Sequence, residues 1–425
     1  MALTIARFLA MYGRPTHLEC HITCYLVVIM IKKVSNRWQR IEVPQTFPTI
    51  HAALAYCKSQ LHNLGDRGFI QIKIADGEYY LDQVEIDFFS DRVEIIGNLD
   101  DPDKVQLHFD DAHNRCGFLM QRGNGIFKID GMTINGTKAF LGYGQWQDEG
   151  YGAGIMCNYN SQVLVGSKVR INKFYYGVAA RFGSSIRCEP GVIVQFAGDV
   201  GFFAYGGSID AQQCEAYHCA HLDEGLGFGF CAESSGFINA DNSVSAHNHI
   251  AGFYALTNGS MWCHDTSASE NKHGFLALHN GMLSCNSINR RTNAFRNYGY
   301  GYFADNGGRI LANRSLGNEN VVGGYFARHH ASIDITHANA SHNEGHGYTA
   351  INATLLGNGA EARFNQGNGF VIGQSGFLDG SFLMAYGNAG YGYHLDHCQA
   401  FMPYARGWKN ALGRMHKVHS HVAIK

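Results

Sequence analysis

Apolar and polar residues alternate with a period of two along most of this chain, in runs too short for a helix. Ile333 and Ile335 alternate with Asp334 and Thr336, and Leu283 and Cys285 with Met282 and Ser284. This period sends successive side chains to opposite faces of a strand. Upstream, Phe69–Ile74, Val84–Ile86, Val93–Ile96 and Val105–Phe109 also read as strands, punctuated by Asp76-Gly77 and Gly97-Asn98. One segment departs from the pattern. Phe47 to Leu61 places Ile50, Ala53, Leu54, Cys57 and Leu61 on one face of a short amphipathic helix.

The strands recur in a frame. A Gly-aromatic-x-Ala unit begins at Gly201, Gly229, Gly252, Gly274, Gly301, Gly324 and Gly347, with looser copies at Gly369 and Gly392, in steps of 28, 23, 22, 27, 23, 23, 22 and 23 residues. Asparagine keeps register with it: Asn248, Asn297, Asn320, Asn343, Asn365 and Asn388 lie four residues before a repeat glycine, and Asn271 three before. A repeat this short, built from strands and turns, predicts a parallel β-solenoid with coils stacked at strand spacing, about 4.8 Å. Asparagine tolerates the left-handed conformation of a tight corner and bonds from coil to coil. Leucine-rich repeats need a leucine frame and a helix, and propeller blades are longer; neither fits.

Composition narrows the function. Glycine is 52 of 425 residues, proline 6 and charged residues 16%, which excludes a coiled coil, a helical solenoid and a disordered chain. Lys+Arg 33 against Asp+Glu 35 leaves a net charge of −2 and no basic excess to hold a phosphate backbone, so nucleic acid is not an expected partner. The most apolar run, Tyr25 to Ile31, is far shorter than the ~18 residues of a membrane span. The 12 cysteines spread from Cys20 to Cys398 without paired spacings, which predicts buried free thiols, no metal site and no cofactor. Four regions follow: an N-terminal segment 1–40 whose pattern specifies no element, a capping-helix region 41–65, the parallel β-helix 66–402 and a C-terminal cap 403–425. Thr137 to Tyr151 breaks the rhythm and reads as a lateral loop; past Phe401 the rhythm ends.

The helix FPTIHAAL, the run IQIKIADGEYYLDQVEI, the turn RVEIIGN and the strand pair FKIDGMTING resemble the pectin-lyase-like superfamily of right-handed parallel β-helices, with an opening like that of pectinesterases and phage tail proteins. The resemblance implies an all-β fold with a short N-terminal capping helix, and a carbohydrate polymer as ligand. It does not carry over a catalytic signature. Gly201 stands where a pectinesterase run would have its acid, Gly345-His346-Gly347 lacks the acidic partners of a polygalacturonase, and Leu395-Asp396-His397-Cys398 lacks the arginine partner of a pectate lyase. The expected function is that of a tailspike-like protein, on a virion tail or outside the cytoplasm. It would bind a bacterial surface polysaccharide and cleave it by hydrolase or lyase chemistry. The alternative is a non-catalytic receptor-binding, carbohydrate-binding or structural β-helix, and the residues leave open whether the chain is an enzyme.

Outward positions supply the candidate site. Counting from each repeat glycine, the ninth and eleventh places are mostly apolar, so the tenth and twelfth face solvent. They hold Arg187 and Glu189, Asn239 and Asp241, Trp262 and His264, then Ser284 and Asn286; the coil at Gly201 is one residue shorter in frame and puts Asp210 and Gln212 there, with Asp265 following His264 and Glu233 on the neighbouring strand. Carboxylates one coil apart would stand about 5 Å from each other and those two coils apart about 9 to 10 Å, the separations of retaining and inverting glycosidases. Asp210, Glu233 and Asp241 are therefore the candidate acids and bases, with one pKa raised by mutual repulsion. Trp262, His264, Asp265, Arg187, Glu189 and Asn239 are the candidate sugar contacts. The third places of the repeat, Phe203, Tyr254, Leu276, Phe303 and Phe326, form an apolar stripe that predicts a homotrimer interface.

Overall fold

The computed structural model describes residues 38–61, 68–88, 91–109, 116–122, 125–136, 152–219 and 227–424. The segment 137–151, read as a lateral loop, and most of the N-terminal segment lie outside them. The chain divides into two compact units, residues 1–73 with 92–94, and residues 74–91 with 95–425.

In the first unit the amphipathic segment forms the helix Ile50–Gln60. Thr49 ends the preceding extended backbone, and its Oγ1 accepts the Ala52 N–H at 3.1 Å, an N-cap that satisfies one of the free amides of the first turn. Ile50, Ala53, Leu54 and Cys57 are buried, as their spacing requires. The helix is flanked by the strands Trp38–Val43 and Phe69–Ile74.

The second unit is a parallel β-solenoid in which every coil contributes one strand to each of three sheets. Sheet I has 14 strands, from Val84–Ile86 to Met415–Val418, most of them six residues long; sheet III has 14, from Gly77–Leu81 to Arg406–Trp408. Sheet II runs in this unit through the strands from Ile126–Asp130 to His421–Ala423. The coils continue past Phe401, where Arg406–Trp408, Met415–Val418 and His421–Ala423 add one more strand to each sheet. The aromatics of the repeat point inward and stack: Phe202, Phe230, Phe253, Phe275, Tyr302, Tyr325, Tyr348, Phe370 and Tyr393 succeed one another at 4.5 to 5.1 Å between ring centres. The four tyrosines satisfy their buried hydroxyls on Thr292 O, Ser315 Oγ, Glu361 O and Leu383 O.

Asparagine forms a second internal ladder. From Asn271 to Asn410, the Oδ1 of each asparagine accepts both the backbone N–H and the Nδ2–H of the one before it, beginning with Asn248, at 2.8 to 3.3 Å. Its own Nδ2 donates back to a main-chain carbonyl of the preceding coil. These buried amides are thus satisfied throughout. The left-handed conformation falls one residue earlier than the sequence suggested, on His247, Glu270, Arg296, Glu319, His342 and Phe364. The asparagine that follows fixes the corner through its bonds, and the corner residue itself is free to vary. The corner from sheet I to sheet II has a steric requirement: a Cβ at Gly259 would come within 2.1 Å of Ala232 O.

The outward stripe on sheet I corrects an expectation. Phe203, Tyr254 and Leu276 are 5%, 8% and 4% exposed, so they are not open on a single chain; only Phe303 and Phe326 are half-buried. Neighbouring outward rows close over them, with Tyr176 stacked on Phe203 at 4.7 Å and Phe228 on Tyr254 at 4.5 Å. At its exposed end Asp305 accepts from Arg328 Nε at 2.8 Å and pairs with His329 at 2.8 Å, while the Arg328 guanidinium lies over Phe303. All ten cysteines among the described residues are buried, and none is in a disulfide.

Candidate functional site

Sheet II presents its tenth-place residues as one straight ladder. Arg187 pairs in register with Asp210, Asp210 with Asn239, Asn239 with Trp262 and Trp262 with Ser284. The alternate positions Ile209, Ile238, Met261 and Leu283 are buried in the core, so the ladder is held outward by the pleat. Trp262 is 46% exposed, and Phe237 packs edge-on against it, ring centres 5.2 Å apart at 85°. Asp210 Oδ1 accepts from Gln212 Nε2 at 3.0 Å.

The twelfth-place residues sit on the adjoining corner. Asp241 Oδ1 accepts the backbone N–H of His264 at 2.8 Å, and the imidazole Nδ1 lies 3.0 and 3.1 Å from the two carboxylate oxygens. The other ring nitrogen, Nε2, is 2.9 Å from Ser284 Oγ. Asn286 Nδ2 donates to the same hydroxyl at 3.3 Å. Asp241, His264 and Ser284 come from three successive coils, 23 and 20 residues apart. Among the predicted residues, Asp241 and His264 are brought into contact. Ser284 completes the chain. The sign of it in the sequence is a hydroxyl two residues short of the corner position, where the longer imidazole of the coil before can reach across the strand.

The remaining predicted residues take no direct part in this contact. Glu189 Oε2 accepts the Ser167 N–H at 3.3 Å. Glu233 ends the strand Phe228–Glu233 of sheet I, in register with Tyr205 and Leu256, and burial alone pushes its carboxyl pKa up; no second carboxylate contributes. Asp265 anchors a loop: it accepts the Ile288 N–H at 2.7 Å and the Asn289 N–H at 2.9 Å. Burial would raise its pKa, but amide donors from Asn289, Ile288 and Arg290 and the nearby His264 outweigh burial and hold it below the usual range. The loop belongs to the 27-residue step and helps line a recess of about 360 Å³ bordered by Arg290, Arg291, Arg314 and His337. Among the described residues no group of three or more His, Cys, Asp or Glu is placed to hold a metal ion, and no helix is long and apolar enough to cross a membrane.

No family model and no curated protein sequence matches the chain. Solved structures resemble it in outline. The catalytic domain of a GH87 alpha-1,3-glucanase in complex with nigerose is 11% identical with a TM-score of 0.46, over 91% of this chain and 68% of that one. The A-module of a mannuronan C-5 epimerase from Azotobacter vinelandii is 10% identical with a TM-score of 0.37, over 87% and 95%. Tailspike protein 3 of bacteriophage CBA120 is 9% identical with a TM-score of 0.27, over 89% and 57%. Scores of this size put no residue of this chain in register with one of theirs.

Proposed function

We propose that this chain binds an extended polysaccharide along the outer face of sheet II, over the ladder from Arg187 to Ser284, and acts on it. The observation that carries the reading is Trp262: an exposed indole, braced by Phe237, in the middle of a row of guanidinium, carboxylate, amide and hydroxyl groups on rigid strands. A sugar ring has an apolar face to stack and a rim of hydroxyls to bond, and this row offers both. The recess bordered by Arg290, Arg291 and Arg314 favours a polymer that carries negative charge. In the cleaving form of the proposal, acid–base work falls to Asp210, Glu233 or Asp241. Burial of Glu233 favours it as the proton donor. Its position on sheet I, round the corner from the ladder, favours binding without glycosidic cleavage. A homotrimer now rests on the half-buried Phe303 and Phe326, and sedimentation at the monomer mass of 46.9 kDa would dispose of it.

An array of capsular and O-antigen polysaccharides tests the reading. Binding to at least one acidic polymer is expected, weakened about tenfold or more by Trp262→Ala. Viscosity and reducing-end assays report cleavage, and absorbance near 235 nm separates a lyase from a hydrolase. An array without a hit, or a hit indifferent to Trp262→Ala, overturns the proposal.

A further inference from the structure

The corner beside Trp262 holds an arrangement that glycosidic chemistry does not require. A carboxylate can only accept, so the Nδ1 of His264 carries the proton it shares with Asp241. In the neutral ring Nε2 is then the acceptor, and the Ser284 hydroxyl donates to it at 2.9 Å. Asp241 grips its partner twice, through the ring and through the His264 main-chain N–H, which fixes both the tautomer and the ring plane. An acid, an imidazole and a hydroxyl thus stand in series, each within hydrogen-bond reach of the next. That is the geometry by which an alkoxide is generated at neutral pH. Asn286 Nδ2 donates to Ser284 Oγ at 3.3 Å and helps hold the hydroxyl in place.

The equivalent corner positions of the neighbouring coils carry Gln212, Asn286 and Asn313, and the ladder positions carry Asn239 and Leu311. Acid, imidazole and hydroxyl succeed one another at this place alone among these coils. Exposure restricts what can enter. Ser284 is 7% exposed, and the side chains of His264 and Asp241 are 16% and 19% exposed. A hydroxyl this enclosed suits a small acyl group rather than a chain of sugar rings.

From this geometry we infer that Asp241, His264 and Ser284 form a serine esterase site that removes small acyl groups, acetyl first among them, from a ligand lying across Trp262. The identity of that ligand as an O-acylated polysaccharide rests on the function proposed above; the esterase chemistry does not. Ser284 Oγ attacks the acyl carbon while its proton passes to His264 Nε2. The ester C–O bond breaks, and the leaving alcohol takes the proton back from His264. Water then attacks the acyl-serine, gives its proton to His264, and the acid departs as Ser284 Oγ is reprotonated. Asp241 keeps its hold on the His264 ring throughout and acts as a positioning residue.

Two probes on the full chain test this. A fluorophosphonate should label the protein once, and mass spectrometry should find the adduct on Ser284. p-Nitrophenyl acetate should be hydrolysed with saturation, with kcat/KM lowered about 10³-fold by Ser284→Ala and by His264→Ala. Asp241→Asn should lower kcat about 10²-fold or more with KM unchanged, and should slow fluorophosphonate labelling in proportion, a readout that a structural role would not move. Labelling elsewhere, no labelling, or hydrolysis that survives Ser284→Ala as free-imidazole background would, overturns the inference. Labelling of the native chain needs no variant, so misfolding of a substituted protein leaves that arm intact. Esterase activity without polysaccharide binding would reject the carrier and keep the site. Binding weakened by Trp262→Ala without labelling or hydrolysis would do the reverse.

Discussion

The inner and the outer ladders of this solenoid are built on the same spacing and obey opposite rules. Inside, the same kind of side chain recurs coil after coil: nine aromatic rings in one stack, and asparagine upon asparagine from Asn248 to Asn410. Outside, on sheet II, the residue changes at every step, from Arg187 to Asp210, Asn239, Trp262 and Ser284. Identity between coils is what stacking and amide ladders need. Difference between coils is what recognition of an asymmetric ligand needs. Substitutions inside should therefore act on stability, and those outside on binding and chemistry.

The sharpest way to break this comparison is to cut the aromatic stack. Tyr325 is 1% exposed with ring partners on both sides, and Tyr325→Ala is expected to cost about 3 to 5 kcal/mol in denaturant unfolding. Asp210→Ala should stay within about 0.5 kcal/mol of the native protein. A comparable loss at both positions would refute the division. Next in size is Asn320→Ala. It leaves the main-chain and side-chain N–H groups of Asn297 without their acceptor and the carbonyl of Ala294 without its donor, at about 2 to 4 kcal/mol.

Asp305 and Glu233 sharpen the outer half of the comparison, because both face outward on sheet I and shift in opposite directions. For Asp305, burial raises the pKa, but bonds from Arg328 and His329 outweigh it and leave the value lowered. A lowered folded value means that its contribution is present above the unfolded aspartate pKa of about 3.9 and is lost as pH falls through the folded value. With Arg328 partly exposed, Asp305→Asn should cost about 1 kcal/mol at pH 7. The gap in Tm from the native protein should close in acid, and a gap constant from pH 7 to 2.5 would count against the ion pair. Glu233 has a raised pKa, so its protonated form is favoured in the fold and stability is lost as pH rises through the folded value. Glu233→Gln should raise stability at pH 7.5 by at most about half a kcal/mol after solvent screening, and by nothing in acid. A loss of Tm at pH 7.5 would mean that the carboxylate is held by a partner.

What was legible in the sequence follows the same line. The frame from Gly201 to Gly392 could be read because inward residues repeat, and inward Ile238, Met261 and Leu283 could be assigned by alternation alone. The corner residues could not, since a histidine, a glutamate or a phenylalanine serves equally once the next asparagine fixes the turn. Closure of the sheet I stripe depends on Tyr176 leaning over Phe203 of the following coil, a contact between rows that no single coil encodes. The partnership of His264 with Ser284 was hidden because it runs diagonally, from a corner of one coil to a strand of the next. The bonds of Asp265 are illegible for a similar reason: its acceptors look free until the loop after Cys285 folds back upon them.

The asparagine ladder also has a direction, and direction has a consequence for synthesis. Each asparagine leaves two donors that only the following coil can accept. At about 5 to 20 residues per second, a ribosome adds one coil every one to five seconds or so. Throughout that interval the newest coil presents unmet amides and an open aromatic ring at its growing edge. A pause in translation within the repeats would hold that edge open to any extended chain nearby, including the same edge on a neighbouring ribosome of the polysome.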